Sequence, residues 1–168
     1  MGKDNTLSMS QQLSLWARKL VIHHVGLPLE IVYSSKGKPF FKNNSDIHFS
    51  ISHTSDYIAI ALANKEIGID IEHLRQHKQD VAMRFFSAKE SDYLFKLPQH
   101  NFDTAFTKLW TLKEAYAKCI SDGISGTFSS TTIDLPSLSI EGKEQDFSLT
   151  SLFDKTTNLF IAICLRNQ

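Results

Sequence analysis

Cysteine is scarce in this chain of 168 residues: Cys119 and Cys164 are the only two, and they are not in CxxC spacing. That argues against a disulfide framework, and their apolar neighbours make them read as reduced core thiols of a cytoplasmic protein. Also missing is any dense run of lysine and arginine. Eighteen basic residues cancel eighteen acidic ones, so no global field recruits nucleic acid, and an anion site must be local. No stretch approaches the roughly 20 apolar residues of a membrane span. The opening residues Met1 to Thr6 lack the apolar run of a signal peptide, so the expectation is a soluble, intracellular protein without a membrane partner. There is no Walker-type glycine loop, no GxGxxG, no nucleophile elbow and no repeat of solenoid period, and the seven histidines show no metal-ligand spacing with cysteine. Zinc, P-loop and serine-hydrolase chemistry are therefore disfavoured. With 42% hydrophobic and 21% charged residues, the chain suits one globular domain, or two small halves around a shared core.

Apolar residues Leu13, Trp16, Ala17, Leu20 and Val21, with His24, recur at helical spacing, which predicts a core-facing helix from about Ser10 to Val25, capped by Ser8 or Ser10 and ended by Gly26-Leu27-Pro28. A short strand at Ile31 to Tyr33 and a basic turn, Ser34 to Pro39, follow. Three strand-like runs come next: Ile47 to Ser52, Tyr57 to Ala63 and Ile67 to Glu72. The second is apolar on both faces and looks central in a sheet, and Asn64-Lys65-Glu66 after it is a hairpin-sized loop. The polar stretch His73 to Gln79 reads as a linker. Helical patterns then run from Asp80 to Phe86, from Ala88 to Phe95 behind a Ser87 cap, and from about Phe102 to Ile120, where Gly123 and Gly126 break the last helix. Strand-like segments at 132–134, 137–140, 147–153 and 159–165 complete an α+β chain, with expected halves at 1–76 and 77–168.

Four patches carry chemistry. In Ile67-Gly68-Ile69-Asp70-Ile71-Glu72 the alternation of a strand sends Asp70 and Glu72 to one face, with Gly68 beside them to let a ligand approach the backbone. The pattern fits a solvated acidic face, and it also fits two carboxylates converging on one hard cation. At roughly 100° per residue, Trp110, Glu114 and Lys118 line one border of the long helix. Glu114 and Lys118 are either an ordinary i,i+4 surface pair or a strip able to hold a divalent cation and a phosphate together. Lys113 falls inside the apolar stripe, where an ammonium must snorkel or find a partner. Finally, Ser50, Ser52 and His53 end a strand in hydroxyls and an imidazole, a polar turn or a local anion pocket. Lys36 and Lys38 sit on a turn that Pro39 stiffens.

In this order, Gly37-Lys38-Pro39, Phe49 to His53, Gly68 to Glu72, Phe85-Phe86-Ser87 and Trp110 to Lys118 resemble the 4'-phosphopantetheinyl transferases of the Sfp type. The likeness covers roughly Leu13 to Ser125 and continues more loosely through the last strands. It implies two similar α+β halves in pseudo-twofold arrangement, the N-terminal one shortened, with coenzyme A and Mg²⁺ in the cleft between them. The implied activity is Mg²⁺-dependent transfer of phosphopantetheine to a serine of an acyl or peptidyl carrier protein, with release of adenosine 3',5'-bisphosphate.

By that resemblance Asp70, Glu72 and Glu114 are the metal ligands, and Glu114, Lys118 and Asp70 the catalytic residues. Ser52 and His53 would hold coenzyme phosphates, with Lys36, Gly37, Lys38 and Pro39 on the adenine and ribose side. Lys118 would neutralise the pyrophosphate, and Lys113, by its place in the apolar stripe, would have a structural or a phosphate-facing role and ranks below Lys118. Longer relatives carry an additional N-terminal segment with basic residues, whose part Lys36 or a neighbouring chain would take here. A non-catalytic relative that grips coenzyme A or a carrier protein is the main alternative, and a magnesium-dependent phosphohydrolase acting on nucleotides the second. The carrier and the choice between monomer and homodimer are left open by the sequence.

Overall fold

Ser8 Oγ accepts a hydrogen bond from the Gln11 amide (3.3 Å) while the Gln11 side chain accepts from the Ser8 amide (2.8 Å), a capping box that starts helix α1 (Met9–Val25). Gly26, in the left-handed region at φ +70°, ends it. The structure, a computed structural model, describes residues 7–26, 29–76, 79–122 and 127–167. Leu27, Pro28, His77, Gly123 and Gly126, which the sequence assigns to a helix end, a linker and a helix break, lie outside the described residues, as do the opening six. The broad core-facing stripe expected on α1 is narrower than its spacing suggests. Ala17 and Val21 are buried, but Trp16 is 58% and Leu20 47% exposed. The helix contributes Val21 to a small cluster with Phe41 and Phe49, and so slight a partner covers only the middle of the stripe.

Strands β1 (Ile31–Tyr33) and β2 (Pro39–Phe41) form an antiparallel hairpin across the Ser34 to Lys38 turn, in which Gly37 takes φ +85°. The sequence shows β1 and the turn but not β2, whose opening proline has no N–H to give a ladder and so stands at the strand start. A second hairpin joins β3 (His48–His53) to β4 (Ile58–Ala63). Here the expectation of a central strand fails, because among the described residues β4 has one ladder partner, β3. Its two faces are apolar for another reason. Ile60 and Leu62 pack toward Val21, Phe41 and Phe49, while Ala59, Ala61 and Ala63 pack toward Ile67 and Ile69. Asn64-Lys65-Glu66 consequently connects two strands that do not share a ladder, and is no hairpin.

Strand β5 (Ile67–His73) instead pairs antiparallel with β9 (Leu159–Arg166), which pairs with β8 (Phe147–Asp154). An expected division at 76 puts β5 with the first half; its ladder ties it to the second. Between β5 and β8 come α2 (Gln79–Phe85), α3 (Ala88–Phe95), α4 (Gln99–Ile120) and a small hairpin of β6 (Ile133–Asp134) and β7 (Ser139–Ile140). Ser87 and Glu90 close a capping box on α3, as the sequence suggests for Ser87. The stripe read on α4 is the core: Phe102, Phe106, Leu109, Leu112 and Tyr116 are buried against Phe86, Phe128 and the sheet. The class is α+β, as expected.

Three contacts set the site. First, α4 lies directly across β5 because Gly68 has no side chain: a Cβ there would stand 1.9 Å from the Ala115 carbonyl oxygen and 2.5 Å from the Cys119 amide nitrogen. The sequence assigns that gap to an approaching ligand; the structure assigns it to the helix. Second, β3 meets β5 through side chains. The Ile69 amide donates to Ser50 Oγ (3.1 Å) and the Ile71 amide to Ser52 Oγ (3.3 Å), so two serine hydroxyls satisfy amides that a ladder would otherwise take. Third, Lys38 Nζ donates to the Cys119 carbonyl (2.8 Å) and Lys36 pairs with Asp122, at and just past the end of α4, where the partial negative charge of a helix terminus favours cations.

Candidate active site

The close packing at Gly68 brings Asp70 of β5 against Glu114 and Lys118, which stand one turn apart on α4. Asp70 is 4% exposed. Its Oδ1 accepts from Lys118 Nζ at 2.6 Å and from Ser52 Oγ at 2.8 Å, while its Oδ2 is enclosed by protein and has no hydrogen-bond partner. Burial holds the Asp70 carboxyl above the ordinary carboxylate range, opposed by the Lys118 ammonium beside it. A buried carboxylate oxygen with open lone pairs is costly unless something electropositive reaches it.

Glu114 is pushed up to about 7, first by burial and then by the charge of Asp70; Glu72 adds to the rise and Lys118 opposes it. Glu72 is likewise raised, by burial and then by Asp70, with Arg75 at 3.7 Å working against the shift. Three carboxyl groups thus act on one another with a single ammonium in contact. An oxygen-only donor set with excess negative charge and one unpartnered buried lone pair fits a hard divalent cation such as Mg²⁺. The fit is electrostatic and not a finished cage: among the described residues no three acidic, histidine or cysteine side chains are gathered closely enough to hold an ion together. Asp70 Oδ1 is already taken by two donors, which leaves Oδ2 as the oxygen without a partner.

Glu114 and Lys118 also line a cavity of about 230 Å³ together with Lys36, Gly37, Lys38 and Pro39, residues that the sequence groups on the adenine and ribose side. Two of those cations are partly committed to the end of α4, and burial lowers the pKa of Lys38. Ser52 is turned inward onto Asp70 and the Ile71 amide. His53, at the last position of β3, pairs with Ile58 across the hairpin and lies outside the residues lining the cavity. Residues that sequence reasoning missed in the cavity wall are Phe49, Ile51, Ala117 and Ser121. Ser121 takes the left-handed φ of 59° at the C-cap of α4, a position that sequence pattern marks only weakly without glycine.

Of the alternatives open to Lys113, the structure gives it a buried partner. Its side chain is 2% exposed, so it neither snorkels nor faces a phosphate. It pairs with Glu90 at 2.8 Å and donates to the carbonyls of Phe128 (2.6 Å) and Thr131. Glu90 in turn accepts from the amides of Ser87 (2.8 Å) and Ile133 (2.7 Å). Trp110, read on the same border of the long helix as Glu114 and Lys118, packs in the C-terminal core, 5.0 Å from Phe128 and 5.5 Å from Phe85 between ring centres. A larger cavity of about 370 Å³ lies beside Glu90, Thr132 and Glu141 and shares no lining residue with the Asp70 cluster.

Residues 66–164 match a family model described as the 4'-phosphopantetheinyl transferase superfamily, a span that begins just before β5 and ends within β9. Among curated proteins, 4'-phosphopantetheinyl transferase gsp of Aneurinibacillus migulanus is 36% identical over 123 residues, 71% of this chain and 51% of its own length. A 4'-phosphopantetheinyl transferase of Bacillus subtilis is 37% identical over 135 residues, 76% of this chain and 59% of its own. The transferase AcpT of Salmonella typhi is 31% identical over 137 residues, 70% and 71% respectively. The chain spans about half the length of the first of these. The holo-[acyl-carrier-protein] synthase of Thermotoga maritima superposes with a TM-score of 0.48 at 15% identity, over 61% of this chain and 63% of that one. No described helix is long and apolar enough to cross a membrane.

Proposed function

We infer that this chain, which belongs to the 4'-phosphopantetheinyl transferase superfamily, moves the 4'-phosphopantetheine arm of coenzyme A onto a serine hydroxyl of an acyl or peptidyl carrier protein and releases adenosine 3',5'-bisphosphate. The observation that carries this reading is the junction of β5 and α4, where Asp70 binds Lys118 beside a Glu114 held near neutrality, at a cavity framed by Lys36, Gly37, Lys38 and Pro39. Asp70, through Oδ2, with Glu72 and Glu114 would hold Mg²⁺. Bound there, the ion supplies positive charge to the pyrophosphate of the coenzyme.

The chain's own residues account for the rest. Lys118, 30% exposed at its side chain, keeps an ammonium on the cavity wall and can shift part of its hydrogen bonding from Asp70 to a phosphoryl oxygen as negative charge grows there. Glu114, pushed up to about 7 by burial and by Asp70 before any ion is bound, would be the base that takes the proton of the carrier's serine. The serine oxygen then bonds to the pantetheine-side phosphorus, the bridging P–O bond breaks in line, and the electron pair leaves on the bisphosphate. Lys36 and Lys38, held at the end of α4, add positive charge on the side where the nucleotide would rest. Cys119 and Cys164 are both buried free thiols, which suits an intracellular setting.

The test is the mass of a carrier protein after incubation with coenzyme A, Mg²⁺ and the full chain. A gain of one phosphopantetheine is expected with the wild type, and a loss of at least about 100-fold in rate with Asp70→Ala and with Glu114→Gln. Near-wild-type transfer by both variants overturns the reading, and coenzyme binding without any mass gain across several carriers replaces it with the non-catalytic alternative.

A further inference from the structure

A serine hydroxyl has one proton to give and two lone pairs to receive with. In Ser52 the proton goes to Asp70 Oδ1 at 2.8 Å, and a lone pair takes the Ile71 amide at 3.3 Å. The side chain is 6% exposed and belongs to β3, whereas both partners belong to β5. So the hydroxyl is fixed from two sides, and its single proton is already placed. Lys118 holds the same Oδ1 from α4, and the two donors together leave Oδ2 enclosed but unpartnered. Ser50, two residues earlier on β3, makes the neighbouring seam bond to the Ile69 amide at 3.1 Å.

We propose that Ser52 is a positioning residue for Asp70: its hydroxyl, anchored on the Ile71 amide, fixes the rotation of the Asp70 carboxylate and keeps Oδ2 clear of protein donors and available to an incoming cation. This differs from a direct phosphate contact, because the proton a phosphate oxygen needs is spent inside the protein. The assignment rests on Asp70 serving the transferase site inferred above. It also accounts for a side chain at this point of the seam: a backbone carbonyl could only accept the Ile71 amide, whereas a hydroxyl can accept from it and donate onward to a carboxylate.

Three variants of the full chain separate the possibilities: Ser52→Ala, Ser52→Thr, which keeps a hydroxyl on a strand that favours β-branched residues, and Ser50→Ala, which removes a seam bond without touching Asp70. The first readout is the orientation of the Asp70 carboxylate in crystals grown without metal or coenzyme. The second is Mn²⁺ affinity, titrated by electron paramagnetic resonance, and the third is kcat and KM for coenzyme A. Ser52→Ala is expected to turn the carboxylate, to weaken Mn²⁺ binding by about tenfold, and to lower kcat while KM for coenzyme A stays within about twofold. Ser52→Thr restores all three, and Ser50→Ala, at a residue that itself lines the cavity, lowers the melting temperature while leaving the carboxylate orientation and the Mn²⁺ affinity in place. An unturned carboxylate in Ser52→Ala overturns the proposal, as does a rise in KM alone, which would assign the hydroxyl to a coenzyme phosphate. Should the carboxylate turn while the wild type itself binds no Mn²⁺ and transfers nothing, Ser52 still positions Asp70 and it is the transferase reading that falls.

Discussion

Lys113 and Lys118 sit on the same helix, both bound to a carboxylate, and the structure treats them in opposite ways. Lys113 is sealed in: its ammonium has a carboxylate and two carbonyls, and the partner Glu90 has two further amides, so every strong group at that centre is answered. Lys118 shares Asp70 with Ser52, keeps nearly a third of its side chain in solvent, and faces a carboxylate with one oxygen left over. A closed ionic centre fixes a fold, because every rearrangement leaves a charge unpaired in low dielectric. An open one can exchange partners, which is what binding and catalysis require. The difference lies in the neighbours that each register on α4 meets and not in the lysine.

The hardest way to break this comparison is to open the closed centre. Glu90→Ala leaves the Lys113 ammonium buried without its counter-ion and two amides without an acceptor. Urea denaturation is expected to show a loss of about 3–5 kcal/mol. Replacing both partners, Glu90→Leu with Lys113→Met, should recover only part of that, since the carbonyls of Phe128 and Thr131 and the amides of Ser87 and Ile133 stay unanswered. Full recovery in the double variant would mean that the centre is ordinary packing and that Lys113 carries no architectural role.

Next in size is the joint that seats the open centre. Gly68→Ala drives a Cβ into the backbone of α4 at Ala115 and Cys119, where no flexible side-chain end can yield. A stability loss of about 3 kcal/mol is expected, with transfer falling further than stability does, because α4 carries Glu114 and Lys118 away from Asp70. Unchanged stability and transfer would show that the helix and strand are not in such close contact.

How much of this was open to reading from the residues follows from the range of the interaction. The stripe on α4, the border position of Glu114 and Lys118, and the Ser87 cap are local: 100° per residue and a serine three before a glutamate suffice. The convergence of Asp70 with Glu114 needed the ordered set of motifs. What stayed hidden is non-local. Nothing near Gly68 in sequence says that α4 will lie on it, and nothing near Lys113 names Glu90, on another helix, as the partner that spares it from snorkelling. In the same way the apolar faces of β4 fit a central strand equally well, because periodicity counts apolar neighbours and not ladder partners.

Removing the open lysine sharpens the contrast from the other side. Lys118→Met deprives Asp70 of one of two donors, but a carboxyl already raised by burial can take up a proton, so the thermal unfolding midpoint should reflect a loss of only about 1 kcal/mol. Transfer should nevertheless fall by about 100-fold. Equal stability losses for Lys118→Met and Glu90→Ala would erase the distinction between the two centres.

The smallest expected effect is a pH slope that belongs to the open centre alone. Glu114 titrates near 7 in the folded chain against an ordinary value of 4.5. Between those values the folded state keeps a proton that the unfolded state has lost, so the unfolded state binds fewer protons and stability falls as pH rises through that window. Below it both states are protonated, above it both are ionised, and this group adds no slope in either region. With screening at a partly exposed carboxyl, the fall is on the order of 1 kcal/mol. Urea midpoints at pH 4, 5, 6, 7 and 8 should show it in the wild type and lose most of it in Glu114→Gln, which cannot ionise. Saturating Mg²⁺ favours the charged carboxylate and should flatten the slope in the wild type, while Glu90→Ala, however destabilised, keeps it. A slope that survives in Glu114→Gln places the titrating group elsewhere and removes Glu114 as the base poised near neutrality.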